Sequence, residues 1–222
     1  MMDVSAGYDL GQAFLAARDV LERNRLAFDQ ADQVNGNHGS HMVQVFDLAA
    51  RAALDQPRAE LGEMLLAASQ ELRRLADNGS AQLYAVGLEQ FALQFQKRGI
   101  TLQELITYVQ VLVENQPEDR GEESASGRKA EILKALVGGL AGWQQSQQDI
   151  PASNPLQDMG YFFELGMIYW RAKQAGGTRA EILANTAVAA SPLSQLPLRS
   201  QSGRLALLAV LQGMSHQGLH SG

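Results

Sequence analysis

Apolar residues recur at intervals of three and four along most of the chain, which is the period of a helix with one buried face. In residues 8–31 this face contains Leu10, Phe14, Ala17 and Leu21. The same pattern predicts helices over about 40–56, 59–77, 80–97, 128–147, 156–175 and 201–215, and two more that begin near Thr101 and Thr178. No alternation of apolar and polar residues is long enough to predict a β-strand.

Short motifs mark several helix ends. Thr101 and Glu104, and likewise Thr178 and Glu181, have the spacing of a capping box, in which each side chain bonds the backbone N–H of the other residue. Gly99 is expected to end the preceding helix, because glycine readily adopts the left-handed backbone of a helix C-terminus. The two boxes therefore predict the starts of a fifth and an eighth helix.

Polar segments separate the helices. Asn78-Gly79 is expected to end the third helix, with Ser80 as the N-cap of the fourth. Residues 116–127 are the longest polar stretch and predict a surface loop. Because no long linker and no internal repeat is visible, residues 1–222 are predicted to form a single all-α domain, an antiparallel barrel or bundle of about eight helices.

Composition and charge narrow the functional classes. Of the 222 residues, 45% are hydrophobic and 19% are charged, which excludes a disordered chain. The net charge of −6 disfavours binding to nucleic acid, and the absence of cysteine excludes disulfides and thiolate zinc sites. No apolar run reaches the roughly 18–20 residues of a membrane span, and no secretory signal is visible. We therefore expect a cytoplasmic protein that binds neither nucleic acid nor membrane.

Glycine and serine recur at the predicted starts of the second, fourth and sixth helices. These segments are Gly39-Ser40-His41-Met42, Gly79-Ser80-Ala81 and Ser126-Gly127-Arg128-Lys129. If neighbouring helices alternate in direction, the three starts share one end of the bundle. Helix N-termini carry free N–H groups and a partial positive charge, which favour anions such as phosphate. The sequence predicts an anion-binding rim, and the alternative is that these residues only cap their helices.

Several of these segments resemble the signatures of a known family. Residues 34–42 resemble G-D-x-D-H-G-x-N-M, residues 77–85 resemble G-G-x-S-G-P-L-Y-G, and residues 127–136 resemble G-D-[RK]-T-M-L-D-A-L. Residues 201–204 correspond more weakly to a D-P-G-A element. In this order and spacing the segments resemble the DhaL-type (Dak phosphatase) domain, the ADP/ATP-binding domain of dihydroxyacetone (glycerone) kinases. The resemblance implies a barrel of about eight antiparallel helices.

The chain departs from that family at the magnesium ligands. The family uses three Asp residues to hold two magnesium ions against the phosphates of the nucleotide, and the corresponding residues here are Gln30, Asn35 and Asn37. Neutral amides do not compensate the charge of two divalent ions, and the neighbouring Asp29 and Asp32 are the alternative ligands. Since metal-dependent phosphoryl transfer needs these ions, we expect a noncatalytic binding or regulatory protein.

The alternative function is an active kinase-type subunit. It would use ADP or ATP with magnesium, transfer phosphate to dihydroxyacetone or a similar small hydroxyl compound, and need a partner protein that carries the substrate site. In the favoured interpretation no cofactor is needed, and a small anionic or phosphate-bearing ligand is held without magnesium by the N–H groups of Gly39, Ser40, Gly79 and Ser80.

The predicted site contains binding residues but no catalytic residue and no metal ligand. The predicted binding residues are Asn35, Asn37, His38, Gly39, Ser40, Met42, Gly79, Ser80 and Lys129. His38 and Lys129 are expected to assist at the anion, and Arg128 either binds phosphate or is an exposed residue at a helix start. His38 and His41 are three residues apart, but no third zinc ligand is nearby in the sequence.

Overall fold

The computed structural model describes residues 6–114, 123–146 and 155–217, and over these ranges the chain is helical with no β-strand. The nine α-helices in the described ranges are α1 (Ala6–Ala31), α2 (His38–Leu54), α3 (Leu61–Leu75), α4 (Gly79–Arg98), α5 (Leu102–Glu114), α6 (Glu123–Gln145), α7 (Pro155–Ala175), α8 (Arg179–Ala189) and α9 (Pro197–Gln217). A 3-10 helix, Pro192–Gln195, precedes α9. The prediction of an all-α helical bundle is confirmed, and none of the described helices is long and apolar enough to cross a membrane.

Both predicted capping boxes are present. The N–H of Thr101 donates to the Glu104 carboxylate at 2.8 Å, and the N–H of Glu104 donates to Oγ1 of Thr101 at 3.2 Å. Thr178 and Glu181 make the same pair of hydrogen bonds at the start of α8. Gly99 ends α4 with a φ of 58°, as the sequence predicts.

The predicted starts of α4 and α6 are wrong. The N-cap of α4 is Asn78, whose Oδ1 accepts the N–H of Ala81 at 2.8 Å, so that Ser80 lies inside the helix. Helix α6 begins at Glu123, five residues before the predicted start. Residues 123–127 of the predicted surface loop are therefore helical, and residues 116–122 lie outside the described ranges.

The core lies mainly among the first five helices and α9. Short turns join α1 to α2 and α3 to α4, and the helices of each pair pack side by side, as expected of antiparallel neighbours. Helix α9 packs against α1, and α8 packs against α9. The largest fully buried hydrophobic side chains are Leu21, Val45, Met42, Leu61, Met64 and Leu72.

Helix α6 runs antiparallel to α4 at a short distance. A Cβ atom on Gly138 would lie 2.8 Å from the side chain of Gln94, and one on Gly139 would lie 2.4 Å from the ring of Phe91. Further along, the Trp143 indole N–H donates to the carbonyl oxygen of Leu83 at 3.0 Å. The end of α6 therefore lies near the start of α4, and the start of α6 lies near the end of α4.

Candidate functional site

The starts of three helices surround a pocket of about 790 Å³. Its walls come from the turn between α1 and α2, from the start of α4 and from the start of α9 with the residue before it. The residues that line it are Ala31, Asp32, Gln33, Val34, Asn35, His38, His41, Asp77, Asn78, Gly79, Ser80, Leu196, Pro197, Leu198 and Arg199. A volume of this size is in the range of small-molecule sites, about 300–1,000 Å³.

The start of α6 does not join this pocket. Arg128 donates to the carbonyl oxygen of Arg98 at 3.0 Å and pairs with Glu104 at 2.6 Å, which places it at the C-terminal end of α4. Because α4 has 20 residues, that end is about 30 Å from the start of the same helix. The prediction that Lys129 lies beside Gly79 is therefore wrong.

The start of α6 lies away from the pocket because of the position of α5. It packs chiefly against α9 rather than alongside α4, so helix direction does not alternate from α4 through α5 to α6. The third helix start at the pocket is that of α9, which the sequence analysis placed four residues too late. The signal for the true start is Pro197, since proline is favoured at the first position of a helix.

Two carboxylates occupy the N-terminus of α2. Asp32 accepts the N–H groups of Val34, Asn37 and His38 at 3.0, 3.3 and 3.2 Å. These hydrogen bonds, with Val34 the largest contribution, hold the pKa of Asp32 below its ordinary value although desolvation opposes them. Asp32 is therefore an internal anion at the positive end of α2.

Asp29 accepts an N–H group two residues further into α2, at Ser40. Its carboxylate accepts the N–H of Ser40 at 3.0 Å and the hydroxyl of Ser40 at 2.8 Å. Burial favours the neutral acid, but the hydrogen bonds from Ser40 and Gly39 and the charge of Arg25 outweigh burial, so the pKa of Asp29 lies below its ordinary value. The structure contradicts the prediction that the N–H group of Ser40 is free to hold a ligand.

His38 lies at the floor of the pocket and is 8% exposed. Its Nε2 is 2.9 Å from Oγ of Ser202 on α9, and its ring meets the edge of Phe28. Burial lowers the pKa of His38, and this effect outweighs the nearby carboxylate of Asp32, which acts in the opposite direction. His38 therefore connects α2 to α9 as a neutral imidazole near neutral pH.

The remaining predicted residues of this region have different roles. Asn35 is exposed and lines the pocket, whereas Met42 is 1% exposed and belongs to the core. Oδ1 of Asn37 is buried and has no hydrogen-bond partner in the described ranges. Gly39 allows α1 and α2 to approach, because a Cβ atom there would lie 2.2 Å from the carbonyl oxygen of Arg25.

At the start of α4 the predicted residues do line the pocket. Gly79 and Ser80 belong to the first helical turn, where N–H groups lack an acceptor within the helix. Ser80 is 5% exposed, and over the described ranges its hydroxyl has no hydrogen-bond partner. The capping function at this helix start belongs to Asn78, so Ser80 is not needed as a cap.

Arg199 is a residue that the sequence analysis missed. A Cβ atom on Gly79 would lie 3.5 Å from Nη2 of Arg199, so the guanidinium lies beside the first turn of α4 in the pocket. In the described part of the chain this guanidinium has no carboxylate or other hydrogen-bond partner. Its partial burial and lack of a counter-ion make it the principal positive group of the pocket.

The residues present do not fit the two magnesium ions that the family resemblance implies. Asn35 supplies a neutral amide, Gln30 is exposed and does not line the pocket, and the carboxylates of Asp29 and Asp32 already accept backbone N–H groups. Among the residues that the structure describes, no group of three or more His, Asp or Glu could hold a metal ion.

Comparison with known proteins gives no match: no family model, curated protein sequence or solved structure is significantly similar to this chain. The DhaL-type resemblance stays a prediction, and the pocket itself is the basis for a functional assignment.

Proposed function

We propose that this chain is a noncatalytic binding or regulatory protein, and that the pocket at the starts of α2, α4 and α9 holds a small anionic, phosphate-bearing ligand without a divalent cation. The observation that carries the proposal is the guanidinium of Arg199, which faces Gly79 and Ser80 and has no counter-ion in the described ranges. An unpaired arginine beside free helix N–H groups is suited to phosphate.

The local charges of the pocket support an anionic ligand despite the net charge of −6. At physiological ionic strength, charges separated by more than about 8 Å are largely screened, so the residues that line the pocket dominate. The Asp32 carboxylate is compensated by three backbone N–H groups, and His38 is buried with a lowered pKa. Asp77 is an exposed carboxylate at the rim that forms no ion pair with Arg199, so the positive charge of Arg199 is not neutralised.

The noncatalytic part of the proposal rests on the ligand set at the α1–α2 turn. Metal-assisted phosphoryl transfer needs anionic oxygens that position the cations, and here two amides stand in place of carboxylates at Asn35 and Asn37. The two nearest carboxylates, Asp29 and Asp32, cap α2 instead. This arrangement binds an anion more readily than it builds a two-metal centre.

A thermal-shift and calorimetric screen tests the proposal. The full chain, treated with EDTA, is titrated with inorganic phosphate, glycerol phosphate, ADP and ATP, each with and without magnesium. A ligand at 100 times its dissociation constant stabilises the fold by about 2.7 kcal/mol, a shift of about 5–10 °C for a protein of this size. Stabilisation that does not require magnesium supports the proposal.

Two results would overturn it. If no anion at millimolar concentration shifts the melting temperature, the pocket is not an anion site and the Gly and Ser residues serve the helices alone. If ADP or ATP binds tightly and only with magnesium, the kinase-type alternative is favoured.

A further inference from the structure

We infer that the anion subsite of this pocket lies between the first turns of α4 and α9, that Arg199 is its specificity-determining residue, and that it takes the phosphate group of a monoester in preference to a carboxylate. This inference deepens the proposed function and depends on it.

The facing sides of α4 and α9 place the polar groups together. Ser80 and Tyr84 are four residues apart and therefore lie on one face of α4. Across from them, a Cβ atom on Gly203 of α9 would lie 3.3 Å from the hydroxyl of Tyr84, and Arg199 stands one helical turn before Gly203. Ser80 is thus opposite the first turn of α9, as Tyr84 is opposite the second.

Three of these groups lack protein partners. The hydroxyl of Tyr84 is buried and has no hydrogen-bond partner, and the Ser80 hydroxyl and the Arg199 guanidinium also have none within the described ranges. Only 5% of the surface of Ser80 is exposed, and the residue lines the pocket. The Ser80 hydroxyl and the Arg199 guanidinium belong to residues that line the pocket, so these two groups are available to a polar ligand there, whereas the Tyr84 hydroxyl is enclosed and does not line the pocket.

The number of donors favours a phosphate over a carboxylate. Gly79, Ser80 and Arg199 line one pocket, and together they carry two N–H groups of a first helical turn, a hydroxyl and a guanidinium with several donors. A carboxylate offers two oxygens and one charge, whereas a phosphate monoester offers three terminal oxygens and close to two charges at neutral pH. Arginine also binds phosphate through two parallel hydrogen bonds.

The remainder of the pocket fixes the place of the phosphate and of the group it carries. At α2 the N–H groups of Asn37, His38 and Ser40 already donate to the carboxylates of Asp32 and Asp29, so they are not available to a second anion. Next to Arg199 in the chain, Leu196 and Leu198 also line the pocket, and their apolar side chains suit the organic part of a monoester.

A series of three ligands with the same ring tests the chemical class. Phenyl phosphate, phenyl sulfate and benzoate are titrated into the EDTA-treated full chain by calorimetry, and the backbone amides that shift are located by NMR. We expect phenyl phosphate to bind at least about 10-fold more tightly than benzoate, with shifts centred on Gly79 and Ser80. Equal affinity for benzoate and phenyl phosphate would overturn the preference for a phosphate.

Matched variants test the residues. R199Q removes the charge and is expected to weaken phenyl phosphate binding about 10- to 100-fold, and S80A about 3- to 10-fold. The control is R204Q, because Arg204 lies on the same helix but lines a different cleft with Asn24 and Asn185. The affinity of the R204Q variant for phenyl phosphate should equal that of the wild type. Urea unfolding of each variant establishes that the fold is intact.

The failures of the two proposals are distinguishable. If the wild-type chain binds phenyl phosphate and both R199Q and S80A bind it equally well, the subsite is wrong while the proposed function stands. If the wild-type chain binds no anion at millimolar concentration, both are overturned.

Discussion

His38 joins the start of α2 to α9 through its hydrogen bond with Ser202, and this buried position makes the stability of the fold depend on pH. In the folded chain, burial lowers the pKa of His38 below its ordinary value of 6.5. Below that pH the unfolded chain takes up a proton that the folded chain does not, so the free energy of unfolding falls as the pH decreases. The contribution of the neutral imidazole is fully present above the unfolded pKa.

The variant His38→Gln isolates this effect. We expect the wild-type chain to have a larger free energy of unfolding in urea than the variant at pH 7.5, and we expect the difference to narrow at pH 5.5 because only the wild type has the buried imidazole to protonate. A difference that is the same at both pH values would show that His38 is not held neutral by its surroundings.

Asp29 and Asp32 show which residue roles the sequence could not predict. Their carboxylates are recognisable as anionic oxygens, and the sequence analysis treated them as alternative metal ligands. The role of Asp29 depends on the way α1 packs against α2, which brings its carboxylate to the N–H of Ser40, whereas Asp32 follows α1 and accepts N–H groups of the turn and of the start of α2. A crossing angle is a property of packing between two helices, and no local pattern in either helix specifies it.

Gly39 sets the distance between α1 and α2 at their crossing. A Cβ atom there would lie 2.2 Å from the carbonyl oxygen of Arg25, and backbone cannot move aside as a side chain can. We expect Gly39→Ala to lower the free energy of unfolding by about 1–3 kcal/mol, the range for overpacking.

A glycine in open space is the matched control. At Gly166 of α7 a Cβ atom would meet nothing within 4 Å, so Gly166→Ala should raise the free energy of unfolding by about 0.5–1 kcal/mol through helix propensity alone. Both values come from urea unfolding followed by circular dichroism. If the two substitutions have similar effects, the close approach at Gly39 does not constrain the fold.

For the helices, the sequence predicted those ends that are set by short-range motifs. The capping boxes of α5 and α8 and the glycine that ends α4 were correct because these signals involve residues three to five positions apart. The position of α6 was wrong because it depends on α5, which packs against α9. Of the three helix starts predicted to meet, those of α2 and α4 line the pocket, and the start of α9 takes the place of that of α6.

Burial is unevenly distributed over the whole molecule. Helix α3 buries Leu61, Met64 and Leu72 completely, whereas no side chain in residues 164–175 of α7 is buried. Met167, Tyr169 and Trp170 on α7 are between 41% and 56% exposed. Periodicity predicted α7 as a helix, but it could not show how little of the helix is covered by its neighbours, which is a property of the assembled fold.

Hydrogen exchange measures the consequence for local stability. Segments with few buried contacts open with a smaller free energy than the core, and α7 packs chiefly against α8. We expect backbone amides in residues 164–175 to exchange faster than those of α3 by at least an order of magnitude. A low concentration of urea should accelerate exchange in α3 more steeply than in α7, because opening α3 exposes more surface. Equal protection of the two helices would mean that α7 is stabilised as firmly as the core, and its exposed aromatic residues would then not mark the least stable part of the described bundle.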